Sequence, residues 1–183
     1  DKALMRETFK EQGVPCPFFF RASNKNEFIQ AVNEITKKGY KCIVKPVDNS
    51  GSRGVNLLSR FDEESLEQAY IYSKDNSKSG EVIVEEYMEG PEVCVETLSI
   101  DGVCYPIQIT DKLTTGAPYF VEMGHSQPSQ LSFKDQENIK EVAIAANMAI
   151  GNYNGSSCTE IKVTKEGAKV VEVGARLAGD YMT

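Results

Sequence analysis

Apolar residues recur along this chain at two different periods. In residues 1–12, Leu4, Met5, Thr8 and Phe9 keep helical spacing behind Asp1, a capping residue, and Gly13 stops the run. VPCPFF then runs extended, because proline restricts itself and its predecessor. Ser23 or Asn24 caps a second predicted helix, with Phe28, Ile29, Val32 and Ile35 on one stripe and Gly39 at its end. KCIVKP and GVNLLS read as strands joined by a loop of small residues. A third helix covers FDEESLEQAYIYSK, with Leu66, Ala69 and Tyr70 facing inward, before the strand EVIVEEY and the turn MEGPE.

The pattern then changes. VCVETLSIDGVCYPIQIT reads as two strands around Asp101-Gly102, a strong hairpin signal. Residues 119–123 suggest a further strand, and SFKDQENIKEVAIAANMAIG is a long amphipathic helix. SSCTEIKVTKEGAKVVEVGAR is a second hairpin, turning at Lys165-Glu166-Gly167. Strands and helices interleave up to about residue 88; antiparallel hairpins with one long helix follow. The expected fold class is therefore α+β in two lobes, 1–88 and 89–183, and not a doubly wound parallel sheet.

Composition narrows the function. The 183 residues suit one domain or two small lobes. A net charge of −7 argues against sequence-blind nucleic-acid binding, yet permits a local cationic pocket. No apolar run approaches the roughly 20 residues that span a bilayer, and the charged start DKALMRETFK is not a secretory signal. Five cysteines, an odd number without metal-type spacing, argue against a disulfide framework and for a reducing, cytoplasmic setting. The first residue is not Met and the chain stops at GDYMT, so a fragment of a longer protein is expected.

Several residues suggest chemistry. In CIVKPVDNSGSRGV, a strand delivers Lys45 to a loop in which Asn49, Ser50, Gly51, Ser52 and Gly54 tolerate positive φ and expose backbone N–H groups. Such a loop can cover phosphates, though solvated hairpin loops share the composition. It is neither a Walker A loop nor a GxGxxG turn. Lys2 sits in a first helical turn, where the helix dipole slightly disfavours a cation. Glu160 and Glu172 fall opposite each other, or nearly so, on the second hairpin; facing carboxylates repel unless a cation such as Mg²⁺, or water, neutralises them. Arg176 follows with a planar fork suited to phosphate or carboxylate. EEYMEGPE marks the change of pattern, where backbone groups of Glu86 and Met88 can meet a heterocycle and Glu92 vicinal hydroxyls; a plain acidic linker reads the same. His125, the only histidine, lies in a polar loop without a nucleophile signature.

In this order, from DK opening a helix through GVPCP, strand-Lys-Pro, the small-residue loop, EEYMEGPE and TEI to VEVGAR, the chain resembles the ATP-grasp superfamily over nearly its whole length. The nearest branch looks like the carboxylate–amine ligases, with likeness to carbamoyl-phosphate synthase and biotin carboxylase. The resemblance implies two α+β lobes with antiparallel sheets gripping ATP, and Mg²⁺ or Mn²⁺ as cofactor. It matches Lys2 and Lys45 to the phosphate-holding lysines, and Ser50, Gly51, Ser52 and Gly54 to the phosphate-covering loop. Glu85, Glu86 and Met88 match the adenine hinge, Glu92 the ribose acid, and Glu160 and Glu172 the metal-binding carboxylates. Arg176, with Lys45, matches the catalytic cations; Lys112 and His125 fall on the substrate side. One departure is Gly174, where many members carry a metal-binding asparagine.

The implied activity is ATP-dependent activation of a carboxylate as an acyl phosphate for attack by an amine or ammonia. Two alternatives stand beside it: bicarbonate activation as in carbamoyl-phosphate synthase-like proteins, and a non-catalytic ATP-binding sensor or assembly domain. The implied partners are small-molecule carboxylate and amine substrates, without nucleic acid or membrane, and assembly into a homo-oligomer is allowed.

Overall fold

A computed structural model of the chain describes residues 1–117 and 120–179. Four α-helices and nine strands follow one another as α1 (Lys2–Glu11), β1 (Phe19–Ala22), α2 (Lys25–Lys37), β2 (Cys42–Pro46), β3 (Asn56–Leu57), α3 (Glu63–Asp75), β4 (Val82–Glu86), β5 (Glu92–Ile100), β6 (Val103–Thr114), β7 (Glu122–Ser126), α4 (Phe133–Ala149), β8 (Gly155–Thr164) and β9 (Gly167–Gly174). Compactness divides them into two units. One comprises residues 1–6, 17–87 and 115–121; the other comprises 7–16, 88–114 and 122–183. The break at Tyr87/Met88 falls beside the change in sequence pattern, but α1 is not wholly part of the first unit.

The first unit is built on a four-stranded antiparallel sheet in the order β1-β4-β2-β3. Its β1 begins beyond the two prolines of VPCPFF, where backbone N–H groups are again available to pair with β4. Alternation sends Ala22, Cys42, Val44, Val82 and Val84 to one face, where α2 and α3 cover them with Phe28, Val32, Ile35, Leu66 and Tyr70. Asn24 is the cap of α2, accepting from Glu27 N, while Glu27 accepts from Ser23 N. Asp62 caps α3 by accepting from Ser65 N. Such caps contribute about 1 kcal/mol each. The opposite face carries Phe19 and Ile83 against Ala3 of α1.

The second unit is a five-stranded antiparallel sheet, β7-β6-β5-β8-β9, covered on one face by α4. Val93, Val95 and Ile161 are buried, as are Ile139, Val142, Ala143 and Ala146 of the helix. A fully buried asparagine, Asn147, donates to Ala143 O and Thr159 Oγ1 and accepts from Asn152 Nδ2 and Ser157 Oγ. Both predicted hairpins are present, turning at Asp101-Gly102 and at Lys165-Glu166. The strand expected over 119–123 is Glu122–Ser126 instead; Tyr119 and the terminal Asp180–Thr183 lie outside the described residues.

One expectation is corrected. Cys94 and Cys158 are bonded to each other, on neighbouring strands with Cα atoms 6.1 Å apart, while Cys16, Cys42 and Cys104 are in no disulfide. This is one bond between strands that already share a ladder, with three of the five cysteines outside it. Among the described residues no helix is long and apolar enough to cross a membrane.

Candidate functional site

In the first unit the site begins with alternation on β2. Val44 faces the helices, so Lys45 must point to the other face, beside Glu85 of β4. Lys45 Nζ lies 2.6 Å from Glu85 Oε2, and Arg6 Nε donates to Glu85 Oε1 at 2.6 Å. Arg6 and Glu85 are each 1% exposed. Burial alone would raise the Glu85 pKa, but the two cations outweigh it and hold the carboxyl at about 2. An ionised Glu85 between two permanent cations fixes Lys45 and leaves the group net positive. Lys2 supplies a second ammonium in this unit, donating to Asn49 O at 2.7 Å.

The loop after β2 is anchored at both ends. Asp48 accepts from Ser77 Oγ, Lys78 N and Ser79 N, and Asn49 Nδ2 donates to Asn76 O. At the far end Gly54 O accepts from Ser73 Oγ. Ser50 to Arg53 form an exposed tip, in which Gly51 and Ser52 have φ of 67° and 55°. The small residues thus allow a left-handed turn that presents backbone N–H groups.

In the second unit the face away from α4 is polar. Direct pairing of Glu92 with Lys112 and Lys162, and of Glu160 with Glu172, sets these side chains on one face. Two bulges complete the set. An extra residue, Val171, shifts the β8–β9 register just beyond Glu160, and an extra Met123 shifts β6–β7. The second bulge brings Glu122 to the same side as His125, three residues away; strict alternation would separate them.

Lys112 stands amid these acids. Its Nζ lies 3.0 Å from Glu92, 2.6 Å from Glu122 and 3.2 Å from Glu160, and its side chain is 3% exposed. Burial works against its charge, but Glu160 and Glu92 raise its pKa strongly. Lys162 holds the other oxygen of Glu92 at 3.1 Å. Burial would raise Glu92, yet Lys112 and Lys162 bring it below the usual range. Glu160 is different: burial pushes it up, and Glu92 and Glu172 add to this against Lys112. Four carboxylates, from Glu92, Glu122, Glu160 and Glu172, thus meet two ammonium groups, from Lys112 and Lys162. The facing carboxylates of Glu160 and Glu172 offer hard oxygen ligands of the kind a divalent cation takes. Among the described residues no group of three or more His, Cys, Asp or Glu side chains is arranged to hold a metal alone, so a cation here needs ligands from a bound molecule.

A family model described as the ATP-grasp domain matches residues 38–183. The chain belongs to the ATP-grasp domain family. It is 31% identical to alanine–anticapsin ligase of Bacillus subtilis, over 98% of this chain and 41% of that protein. It is 28% identical to phosphoribosylamine–glycine ligase of Methanocaldococcus jannaschii, over 96% of this chain and 44% of that one. Among solved structures it matches an L-amino acid ligase from Bacillus licheniformis, with TM-score 0.77 and 28% identity over 98% of this chain and 41% of the other. A biotin carboxylase from Campylobacter jejuni shares the fold, with TM-score 0.84 and 23% identity over 99% of this chain and 41% of that one. The chain therefore spans roughly two-fifths of the length of the relatives it matches.

The expected residues of an ATP-grasp domain fall into sets. Lys2, Lys45 and the Ser50–Gly54 loop gather in the first unit; Glu160, Glu172, Lys112, Glu92 and His125 share one sheet face in the second. Arg176 is exposed just beyond β9, its Nη1 donating to Leu177 O. Met88 is buried, and the backbone N–H groups of Glu86 and Tyr87 are already spent on Phe18 O and Lys41 O. Two side chains have other partners than expected. Glu85 is the buried counter-ion of Arg6 and Lys45, not a group presented to a heterocycle. Glu92 has each oxygen on a lysine. Arg6, Glu122 and Lys162 escape sequence reading, although an arginine on the buried Ala3-Arg6-Phe9 stripe was a visible signal.

Proposed function

We propose that this chain is the nucleotide-binding part of an ATP-dependent ligase that forms C–N bonds. Lys2, Lys45 and the Ser50–Gly54 loop would bind the phosphates of ATP, and Glu160 and Glu172 would hold Mg²⁺ or Mn²⁺. Mg²⁺, when bound, neutralises charge on the phosphates. A substrate carboxylate oxygen attacks the γ-phosphorus as the β–γ bridge bond breaks, giving an acyl phosphate and ADP. An amine lone pair then attacks the acyl carbon, phosphate leaves, and the nitrogen gives up a proton. No enzyme nucleophile is required: Lys45 and Arg176 stabilise charge, and the loop excludes water. His125 lies on the substrate side.

The observation that carries this reading is the pair of carboxylates, Glu160 and Glu172, set opposite each other on β8 and β9 in a chain similar to named ligases. ADP release with panels of small carboxylic acids and amines tests it. ATP turnover that requires both an acid and an amine is expected. Binding of Mg-ATP without any stimulated ADP release would leave only a nucleotide sensor. Glu172→Gln should lower turnover far more than ATP affinity; an equal loss of both contradicts the metal role.

A further inference from the structure

Alternation on β5 sends Glu92, Cys94 and Glu96 to the sheet face that α4 does not cover. Further along that face Leu98 and Ile100 are 41% and 50% exposed, yet Glu96 is only 7% exposed. A long polar side chain is buried at such a position where it has a hydrogen-bond partner. That partner is the chain beyond β9: Ala178 N donates to Glu96 Oε1 at 3.2 Å, across 82 positions. Ala178 also packs against Cys94 and Cys158, the neighbours of Glu96 on this face. Arg176 stands between this attachment and the end of β9. Its N–H donates to Gly174 O at 2.7 Å, and Gly174 pairs with Cys158. The other bond of Arg176, from Nη1 to Leu177 O, is local. Among the described residues, the bond to Glu96 is the one long-range hydrogen bond made by residues 175–178.

We propose that Glu96 is a positioning residue: it fastens the segment after β9 to β5 and so sets where Arg176 presents its guanidinium. The inference rests on the reading of Arg176 as a group that stabilises charge in the ligase reaction. A planar fork does this only when its donors are aimed at the place where charge develops. An exposed side chain on a segment tied at one end alone would lose much conformational freedom on each use. Here the backbone is held on both sides of Arg176, by Gly174 in the β9 ladder and by Ala178 on β5. The two cysteines supply the apolar half of the seat for Ala178, and the Glu96 oxygen supplies the polar half. Glu96 touches no reacting atom in this scheme and acts through Arg176.

Amide hydrogen exchange on the whole chain, without nucleotide, reads the attachment directly. In wild type the Ala178 N–H should exchange roughly tenfold or more slowly than an unprotected amide, the protection a hydrogen bond to a buried acidic side chain confers. Exchange at the unprotected rate overturns the proposal, and this result needs no variant to fold. Glu96→Ala should abolish the protection; Glu96→Gln, whose side-chain oxygen can accept the same bond, should keep most of it. Turnover then separates positioning from a merely structural role. Glu96→Ala should lower kcat roughly tenfold or more with little change in KM for ATP, and Glu96→Gln should recover most of the loss. In an Arg176→Gln background Glu96→Ala should cost nothing further, because its effect passes through Arg176. An equal loss in both backgrounds overturns the positioning role. Protection at Ala178 without any stimulated ADP release would sink the ligase reading and leave the attachment standing. Turnover without that protection would sink the proposal and leave the ligase reading standing.

Discussion

Lys45 and Glu85 lie diagonally across β2 and β4, with Nζ 2.6 Å from Oε2, on the sheet face that α2 and α3 do not cover. Ile43 is the direct partner of Glu85 and Ile83 that of Lys45, so the ion pair forms across the ladder from within an apolar setting. Arg6 closes it from α1. On the function proposed above, the lysine that would meet phosphate is held by a carboxylate before any ligand arrives, which reduces the ordering cost of binding.

The Glu85 arrangement predicts an acid limit to stability. Its folded pKa of about 2 lies below the usual 4.5. A depressed carboxyl contributes stability that is fully present above its unfolded value and is lost as pH falls through the folded one. Urea unfolding should therefore show wild type weakening between about pH 4.5 and pH 2. Glu85→Gln removes the buried carboxylate between Arg6 and Lys45 and should cost roughly 3–5 kcal/mol at pH 7, with a flatter slope across the acid window.

Gly54 should tolerate substitution worse than Gly51. A Cβ at Gly54 would lie 2.5 Å from Pro46 Cγ and 2.6 Å from Asn76 Cβ, at φ +77°; at Gly51 it meets nothing within 4 Å. Gly51→Ala carries only left-handed strain, about 1–2 kcal/mol. Gly54→Ala adds a clash at an anchored loop end worth about 1–3 kcal/mol more. Thermal melts of the two variants should separate by several degrees.

The buried Asn147 makes a third case. All four of its hydrogen bonds are satisfied within the helix and β8 neighbourhood. Asn147→Ala leaves the groups of Ser157, Thr159 and Asn152 without it, at about 1–3 kcal/mol for each buried group left unmade. A fall in melting temperature is expected, and Asn147→Leu should not restore it, because the lost partners are polar.

The elements with strong local signals were legible in the sequence: the cap at Ser23 or Asn24, the Asp101-Gly102 turn, and the long helix of α4. The facing of Glu160 and Glu172 was expected, yet a plain count back from the turn at Lys165-Glu166 sets Glu160 opposite Val171, and the extra Val171 is what brings Glu172 there. Ion-pair partners were not legible. Glu122 reaches Lys112 only because Met123 is an extra residue in the strand, and no alternation rule reveals a bulge in advance. Arg6 and Glu85 are separated by 79 positions, so only the tertiary fold could show that a hinge glutamate is a buried counter-ion. The Cys94–Cys158 bond is likewise a product of strand register, which a cysteine count does not contain.

Gly174 offers the sharpest probe of the metal reading. Related proteins of this fold commonly carry asparagine two residues beyond the second acid, and here the backbone does not demand glycine. A Cβ at Gly174 would find Arg176 Cγ at 3.8 Å and Cys158 O at 3.9 Å, ordinary contacts, and its φ is outside the left-handed region. Gly174→Asn should therefore fold with stability within about 1 kcal/mol of wild type. Its amide oxygen adds a hard ligand on the strand that carries Glu172. Mn²⁺ affinity in the presence of ATP should rise several-fold, with little change in affinity for ATP without metal. An unchanged Mn²⁺ affinity in a well-folded Gly174→Asn would place the cation somewhere other than the Glu160–Glu172 pair.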